Sequence, residues 1–314
     1  MPSIDRIGRR LKLNDLHVFL AVVQAGSMGK AAERLNTSQS AVSRTIADLE
    51  HAFGVRLLDR SRSGIEPTKY GSELMKCGTA VFDDLRQGVR NIEFLTDPTV
   101  GEVRIGTTEP LSVGIVAATI DRLSRRHPRI AFHVTLGDAV MQHHELEERR
   151  VDVVVCRMFR ESPAEHLSAE FLFNDAYVVA AGARNRWVRQ RTISLAELIG
   201  EPWMLPPPDS LIGAVAADVF AASGLPIPPA TVFSHSVHLR NRLLETGRFL
   251  TLFPDAMRRF ASKRTAFRVL PVKVPVTAWP VAAITLKNRT LSPVTQLFID
   301  CAREVAKPLA KEKR

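Results

Sequence analysis

Cysteine is scarce: Cys77, Cys156 and Cys301 are the only three in 314 residues, and no Cys-x-x-Cys or Cys/His spacing joins them. Neither a disulfide framework nor a zinc site is therefore expected, and a reducing compartment fits. Long apolar runs are missing too. No stretch approaches the roughly 18 consecutive apolar residues that suggest a membrane helix. The opening residues Asp5, Arg6, Arg9, Arg10 and Lys12 are charged and lead into no apolar segment, so no signal peptide is expected and the location reads as cytoplasmic, away from any membrane. A glycine-rich phosphate loop, a nucleophile elbow and paired catalytic residues are all lacking, which disfavours an enzyme and implies no cofactor. His143-His144-Glu145 comes nearest to a metal cluster, but adjacent histidines on a helix point about 100° apart and cannot readily share an ion.

The chain is 45% hydrophobic, as a globular protein is, and its length suggests two or three domains. A formal net charge of +10 suits a polyanionic partner. That charge is spread out, however: residues 1–95 carry only +3 and the remainder +7, so charge alone does not locate a nucleic-acid contact.

Periodicity locates it better. Ser27 is placed to cap a helix in which Met28, Ala31, Ala32 and Leu35 recur at i, i+3, i+4 and i+7. Asn36, Thr37 and Ser38 supply turn and cap chemistry. In the next helix Val42, Ile46, Leu49 and Phe53 share one arc, while Ser40, Arg44, Ala47 and His51 lie opposite. Small and polar residues near the N-terminus let a helix enter the DNA major groove, where Gln39, Ser40, Ser43 and Arg44 can reach base edges or phosphates. Spacing alone leaves a second reading open, an ordinary helical hairpin with a solvated polar face. Before the hairpin, Leu13, Leu16, Phe19, Leu20 and Val23 form a third apolar stripe. After it, Leu57-Leu58 and the turn Gly64-Ile65-Glu66-Pro67 read as a two-stranded wing, with Arg56, Arg60, Arg62 and Lys69 near phosphates.

The string Ser27, Ala31, Ala32, Leu35, Ser38, Gln39 and Ser43 resembles the helix-turn-helix of LysR-type transcriptional regulators. The resemblance continues through Leu49-Glu50, the run Phe53-Gly54-Val55-Arg56-Leu57-Leu58-Asp59-Arg60, and Thr68-x-x-Gly71. Leu58 stands where the family usually has Phe. The resemblance implies a DNA-binding set of Ser27, Thr37, Ser38, Gln39, Ser40, Ser43, Arg44, Arg56 and Arg62. It also implies double-stranded promoter DNA, a small-molecule effector, a second copy of the chain in a homodimer or homotetramer, and RNA polymerase as partners.

Positions 74, 78, 81, 85, 88, 92 and 95 alternate four and three apart, a heptad seam suited to pairing with a second copy. Thr96-Asp97-Pro98 ends this helix, and strands then alternate with helices, which argues for parallel sheets with covering helices. The expected fold is α/β overall: an N-terminal winged helix-turn-helix (residues 1–67), a linker helix (68–95) and a two-lobed α/β effector domain (96–314). Lobe I would comprise residues 96–171 and 274–314, and lobe II residues 172–273. The resemblance likens this domain to periplasmic solute-binding proteins, with a ligand between the lobes. Residues 247–254 are similar to a Gly-x-Gly-x-x-x-Leu-Pro segment of the family, with Phe249 replacing a glycine.

Ligands of open α/β sheets sit at the carboxyl ends of strands, beside helix N-termini. That rule selects Thr107, Thr108, Glu109, Ser210, His235 and Ser236 as candidate effector contacts, although each hydroxyl could equally serve only as a helix cap. Arg157 is placed to pair with a ligand or with Glu109, a structural salt bridge being the plainer reading. Two functional alternatives stand beside a regulator that responds to a small molecule. One is a redox-sensing regulator using Cys156 or Cys301, and the other a solute-binding protein or enzyme with an accessory N-terminal domain.

Overall fold

The structure, a computed structural model, describes residues 11–61, 64–158, 164–229, 232–260, 267–275 and 278–311. It divides into two compact units, residues 1–89 and residues 90–314.

The first unit begins with three helices: α1 (Leu13–Ala25), α2 (Met28–Arg34) and α3 (Gln39–Phe53). Their stripes converge on one core in which Phe19, Val22, Ala31, Val42 and Ile46 are buried. Two left-handed residues set the boundaries. Gly26 ends α1, and Asn36 at φ 50° turns the chain between α2 and α3. Ser27 occupies the N-cap position of α2, but its side chain makes no capping bond. Ser38 does cap α3, its Oγ accepting from the Ala41 N–H at 3.2 Å. The strands β1 (Leu58–Ser61) and β2 (Gly64–Pro67) pair antiparallel as the wing. Leu58 is buried, so the smaller side chain still fills the core position.

A long helix, α4 (Lys69–Thr96), comes next. Thr68 starts it, its Oγ1 donating to the Arg56 carbonyl at 2.8 Å and accepting from the Gly71 N–H at 3.1 Å. Gly71 has to be glycine, because a Cβ there would overlap the Leu57 carbonyl. The seam divides into two halves. Leu74 and Gly78 pack within the first unit, against its core and against Leu20 respectively. Leu85, Ile92 and Leu95 instead are 47%, 66% and 81% exposed, and Val89 beside the seam is 56% exposed.

The second unit contains two five-stranded sheets. The first is built from β3 (Val100–Thr107), β4 (Arg129–Leu136), β5 (Val153–Arg157), β6 (Leu167–Asp175) and the late strand β12 (Trp279–Leu286), in the order β4-β3-β5-β12-β6. Helices α5 (Ala117–Arg126), α6 (Ala139–Glu147) and α10 (Pro293–Lys311) accompany it. The second sheet joins β7 (Tyr177–Gly182), β8 (Trp203–Leu205), β9 (Val232–Phe233), β10 (Leu250–Pro254) and β11 (Phe267–Val269) in the order β11-β7-β10-β8-β9. With it are α7 (Leu211–Ala221) and α8 (Val237–Leu244), while α9 (Asp255–Arg259) succeeds β10 at the crossing between lobes.

Three sequence expectations change. The sheets are mixed rather than parallel, because β12 returns from the second lobe and runs antiparallel to both β5 and β6. In the second sheet β7 likewise runs antiparallel to β10. Leu172 and Phe173, assigned by sequence to the second lobe, belong to β6, which pairs with β12 as far as Asp175. The expected alternation of strands with helices is interrupted after β3: Ser112–Val116 is π-helical, and Gly114 within it has non-helical angles beside Phe260. Phe249 is buried among Phe253, Phe267 and Leu244, so the residue in the glycine position has become core.

One buried ion pair locks early and late parts of the first lobe together. Asp152, just before β5, accepts from Arg289 Nη2 at 2.6 Å and from the Arg104 N–H at 2.9 Å. Arg289 Nη1 also donates to the Val151 carbonyl at 2.7 Å. The arginine thus ties the segment between β12 and α10 to the start of β5. Asp152 keeps a longer pair with Arg90 at 3.6 Å when Arg289 is removed, so Arg289→Met is expected to lower unfolding stability by about 1–3 kcal/mol. Urea denaturation of the full chain monitored by circular dichroism measures the loss; a change within about 0.5 kcal/mol would contradict it.

Candidate nucleic-acid interface and ligand cleft

The first candidate site lies at the start of α3. Thr37, Ser38, Gln39, Ser40 and Arg44 are exposed, and Ser43 and Ser27 are half-buried. Val42, Ile46 and Leu49 face the core, which turns the other side of α3 outward. Ser38 Oγ and Ser40 Oγ lie 3.0 Å apart. Arg44 makes no hydrogen bond or ion pair among the described residues, so its guanidinium donors remain available. The wing is set by Glu50, whose Oε1 accepts from the Leu57 and Leu58 N–H groups at 2.8 and 3.2 Å. Sequence reading placed Glu50 at the end of the helix and gave it no role; its spacing to the wing carries no local signal. Arg56 is exposed, and Arg62 lies outside the described residues.

The second candidate site is a cavity of about 190 Å³ in the two-lobed unit. From the first lobe it is lined by Thr108, Asp138, Ala139, Val140 and Arg157. The second lobe contributes Asp209, Ser210, Leu211, Ile212 and His235. Local structure explains the lining: Asp138 and Ser210 are the N-caps of α6 and α7, and the other helical residues are the first two of each helix. Asp138 Oδ1 accepts from the Met141 N–H at 2.8 Å, and Ser210 Oγ from the Gly213 N–H at 3.0 Å. Helix geometry leaves the N–H groups of the first turn without intrahelical partners, and those of Ala139, Val140, Leu211 and Ile212 belong to residues that line the cavity.

Of the six expected contacts, Thr108, Ser210 and His235 line this cavity. Thr107 is fully buried and donates to the Val155 carbonyl at 2.8 Å, a bond internal to the sheet. Ser236 caps α8, accepting from the Leu239 N–H at 3.2 Å. Glu109 bridges the lobes: its Oε2 accepts from the Val237 N–H at the start of α8, at 2.8 Å. Arg157 pairs with Asp175, not with Glu109. Asp138 and Asp209 were missed by sequence reading, although Asp138 does stand one residue before a helix that comes after a strand, the position the strand-end rule selects.

Two cavity-lining donors stand out because they are buried without acceptors. Thr108 is 8% exposed and Arg157 3% exposed, and neither Thr108 Oγ1 nor Arg157 Nε has a partner among the described residues. Outside this lining, Arg240 of α8 stacks on the Phe253 ring, 4.9 Å from its centroid. Burial pulls its guanidinium down to about 10.

A winged helix-turn-helix with a free polar face, joined to a two-lobed α/β unit with a cleft, is the build of a ligand-responsive DNA-binding protein. Comparison with known proteins gives the family. Residues 13–72 match the profile "Bacterial regulatory helix-turn-helix protein, lysR family", and residues 96–307 match "LysR substrate binding domain". The chain belongs to the LysR family of DNA-binding transcriptional regulators, which is not a family of enzymes. It is 25% identical over 285 residues to the HTH-type transcriptional regulator GbpR of Azospirillum brasilense, covering 90% of this chain and 83% of that one. PcaQ of Agrobacterium fabrum is 26% identical over 303 residues, with 96% of each chain covered. Among solved structures, a full-length OxyR variant from Pseudomonas aeruginosa shares the fold with a TM-score of 0.68 at 18% identity, covering 97% of this chain and 99% of that one. Full-length CbnR, solved in complex with its target DNA, gives a TM-score of 0.65 at 19% identity and covers 94% and 100%. Among the described residues no helix is long and apolar enough to cross a membrane.

The cysteines bear on a redox role. Burial raises the Cys156 thiol to about 12, and Arg157 offsets this only in part. Cys301 is also buried and its thiol is raised, chiefly by burial. Thiolate is the nucleophile, so a thiol titrating near 12 is almost wholly protonated, and unreactive, at pH 8. Cys77 is exposed. Titration of the native chain at pH 8 with a chromogenic disulfide reagent is expected to release about one thiol equivalent quickly, from Cys77, and the rest only on unfolding. Fast release of a second or third equivalent would revive the redox reading.

Proposed function

We propose that this LysR-family regulator reads its operator through the N-terminal half of α3 and takes its effector in the cleft between the two sheets of its regulatory unit. The exposed face formed by Gln39, Ser40 and Arg44, opposite the buried Val42, Ile46 and Leu49, carries this reading. Ser38 holds the helix end, Ser43 stands beside the reading residues, and the exposed Arg56 meets phosphate. Ser27 and Thr37 join this set as backbone-side contacts. For the cleft the support comes from Thr108, Ser210, His235 and Arg157, which line one cavity from both lobes. Effector binding biases lobe closure and so the spacing of paired DNA-binding heads. A homodimer or homotetramer, a cytoplasmic setting and contact with RNA polymerase complete the reading. Of the domain divisions, residues 1–67 act as the DNA-binding head, residues 68–95 as the pairing helix and residues 96–314 as the sensor.

Two measurements test this. Footprinting of the promoter region at stated salt should show sequence-specific protection by the native chain, and Arg44→Ala should weaken specific binding by at least about tenfold while leaving weak nonspecific binding in place. Unchanged protection by a folded Arg44→Ala protein would remove α3 from the reading role. The exposed half of α4 supplies the second. Ile92→Glu combined with Leu95→Glu puts two carboxylates on that apolar stripe and should shift the chain toward monomer in sedimentation equilibrium with its melting temperature preserved. An unaltered assembly state would place the subunit contact elsewhere.

A further inference from the structure

The surplus positive charge of this chain sits mainly in the second lobe rather than in the DNA-binding head. Residues 172–273 hold thirteen Lys and Arg against seven Asp and Glu, a surplus of +6 that is most of the +7 carried beyond residue 95 and twice the +3 of residues 1–95. Part of it is neutralised locally: Arg258 and Arg259 pair with Asp255, and Arg186 with Glu201. A group of exposed arginines is not. Arg184, Arg189 and Arg191, in the segment after β7, make no hydrogen bond or ion pair among the described residues. The exposed Arg248 guanidinium, just after α8, meets the Phe249 ring 5.6 Å from its centroid and pairs with no acid among the described residues. Local packing brings these arginines to one part of the surface. Trp187 and Val188 pack on the core of the second sheet, which turns Arg186 and Arg189 of the same short helical turn toward solvent. Asn185, itself buried, ties the two segments together: its Nδ2 donates to the Gly247 carbonyl at 2.9 Å while its Oδ1 accepts from the Trp187 N–H at 3.0 Å. Gly247, at φ 78°, packs against the Arg184 side chain. Between the segments lies an open groove of about 600 Å³, lined by Ala183, Arg184, Arg242, Leu243, Glu245 and Thr246. Glu245 is the one acid of that lining, and Arg242 pairs with it at 2.5 Å.

We propose that this arginine-rich face of the second lobe is a second, sequence-independent contact for the phosphate backbone of duplex DNA, separate from the winged head. The arrangement favours an extended polyanion over a small anion. A small anion is held by donors that surround it, whereas here the free guanidiniums are exposed, spread over two chain segments and set beside an open groove. Donors placed so meet successive charges on a long partner. A guanidinium presents a planar fork that matches phosphate oxygens and is only weakly hydrated, so little is lost when water is displaced. The gain is release of counterions from the DNA, which depends on charge and not on base sequence. Duplex DNA is the polyanion a DNA-binding regulator meets. The lobe thus adds affinity that carries no sequence information, and the head supplies the reading.

Fluorescence anisotropy of the full chain with a labelled duplex of scrambled promoter sequence, titrated over a range of salt concentrations, tests the proposal. The triple variant Arg184→Ser, Arg189→Ser, Arg191→Ser should lower the slope of log affinity against log salt by about 2–3 and weaken binding about tenfold at about 50 mM salt. A control triple removes the same charge from exposed positions of the first lobe: Arg125→Ser, Lys287→Ser, Lys307→Ser. It should change the slope by less than about 1. Footprint boundaries on the native promoter should be the same for both triples, because Gln39, Ser40 and Arg44 are untouched, and melting curves would confirm that each variant is folded. Native affinity and slope in the arginine triple, or an equal loss in the control triple, would overturn the proposal. Native DNA binding by an arginine triple that no longer binds polyglutamate would give the face to an acidic protein surface, and the DNA contact would fall with that result too.

Discussion

The two-lobed unit depends on one buried carboxylate. Asp175 ends β6, the last strand of the first sheet before the chain crosses over, and it is almost fully buried. One oxygen pairs with Arg157 at the end of β5, and the other accepts from the Ala256 N–H at 2.9 Å, where the chain leaves β10. Beside it the Asp255 N–H donates to the Ala176 carbonyl at 2.7 Å, and Pro254 pairs with Tyr177. Two crossings between the lobes are therefore bonded to each other and pinned to β5 by the same side chain. A buried pair of this kind contributes little net stability over an apolar alternative, but it is expensive to break. It fixes the end of β6 against the end of β5 and the start of α9, and Arg157, held there, is also part of the cleft lining.

Burial patterns explain what the sequence made legible and what it did not. The helix stripes of α2 and α3 repeat every three to four residues with a single buried side, so the amino-acid pattern and the observed core agree residue for residue at Ala31, Val42, Ile46 and Leu49. Strand direction leaves no such trace. Val281, Ala282, Ala283 and Ile284 read as a buried strand from any direction, and only the three-dimensional path of the chain makes β12 antiparallel to β5. The same limit applied to the cleft. Its hydroxyl residues could be picked out from helix starts, yet local sequence cannot say that Thr107 bonds across the sheet while its neighbour Thr108 faces the cavity without a partner. Thr107 ends β3 and Thr108 is the first residue beyond it, and which of the two meets the second lobe is decided by residues more than a hundred positions away. Glu109 shows the limit most plainly, because the N–H it accepts from belongs to Val237.

The DNA-binding head has a different economy of hydrogen bonds. Polar groups needed for shape are committed internally: Glu50 to the wing, Thr68 to the start of α4, Ser38 to the start of α3. On the outward face of α3, Arg44 has no partner among the described residues and Ser40 meets only the Ser38 hydroxyl, so a base edge or phosphate can be met without breaking a bond to the backbone. An orphaned interface of this sort costs nothing while solvated, whereas an orphan in the interior does.

That contrast gives the cleft its meaning. Thr108 Oγ1 and Arg157 Nε are orphans of the costly kind, and next to Thr108 in sequence Glu109 joins the lobes by accepting a single hydrogen bond from the Val237 N–H. A ligand that satisfies the buried donors adds interaction energy only when both lobes meet around it, since Ser210 and His235 come from the second lobe and Thr108 and Arg157 from the first. Binding then favours one degree of closure over others by its differential contacts, which is the only way a ligand can shift a conformational equilibrium. The bonded crossings bear on the form of that shift: sliding one sheet past the other would break the bonds at Asp175, Ala176 and Asp255, whereas rotation about that point would keep them.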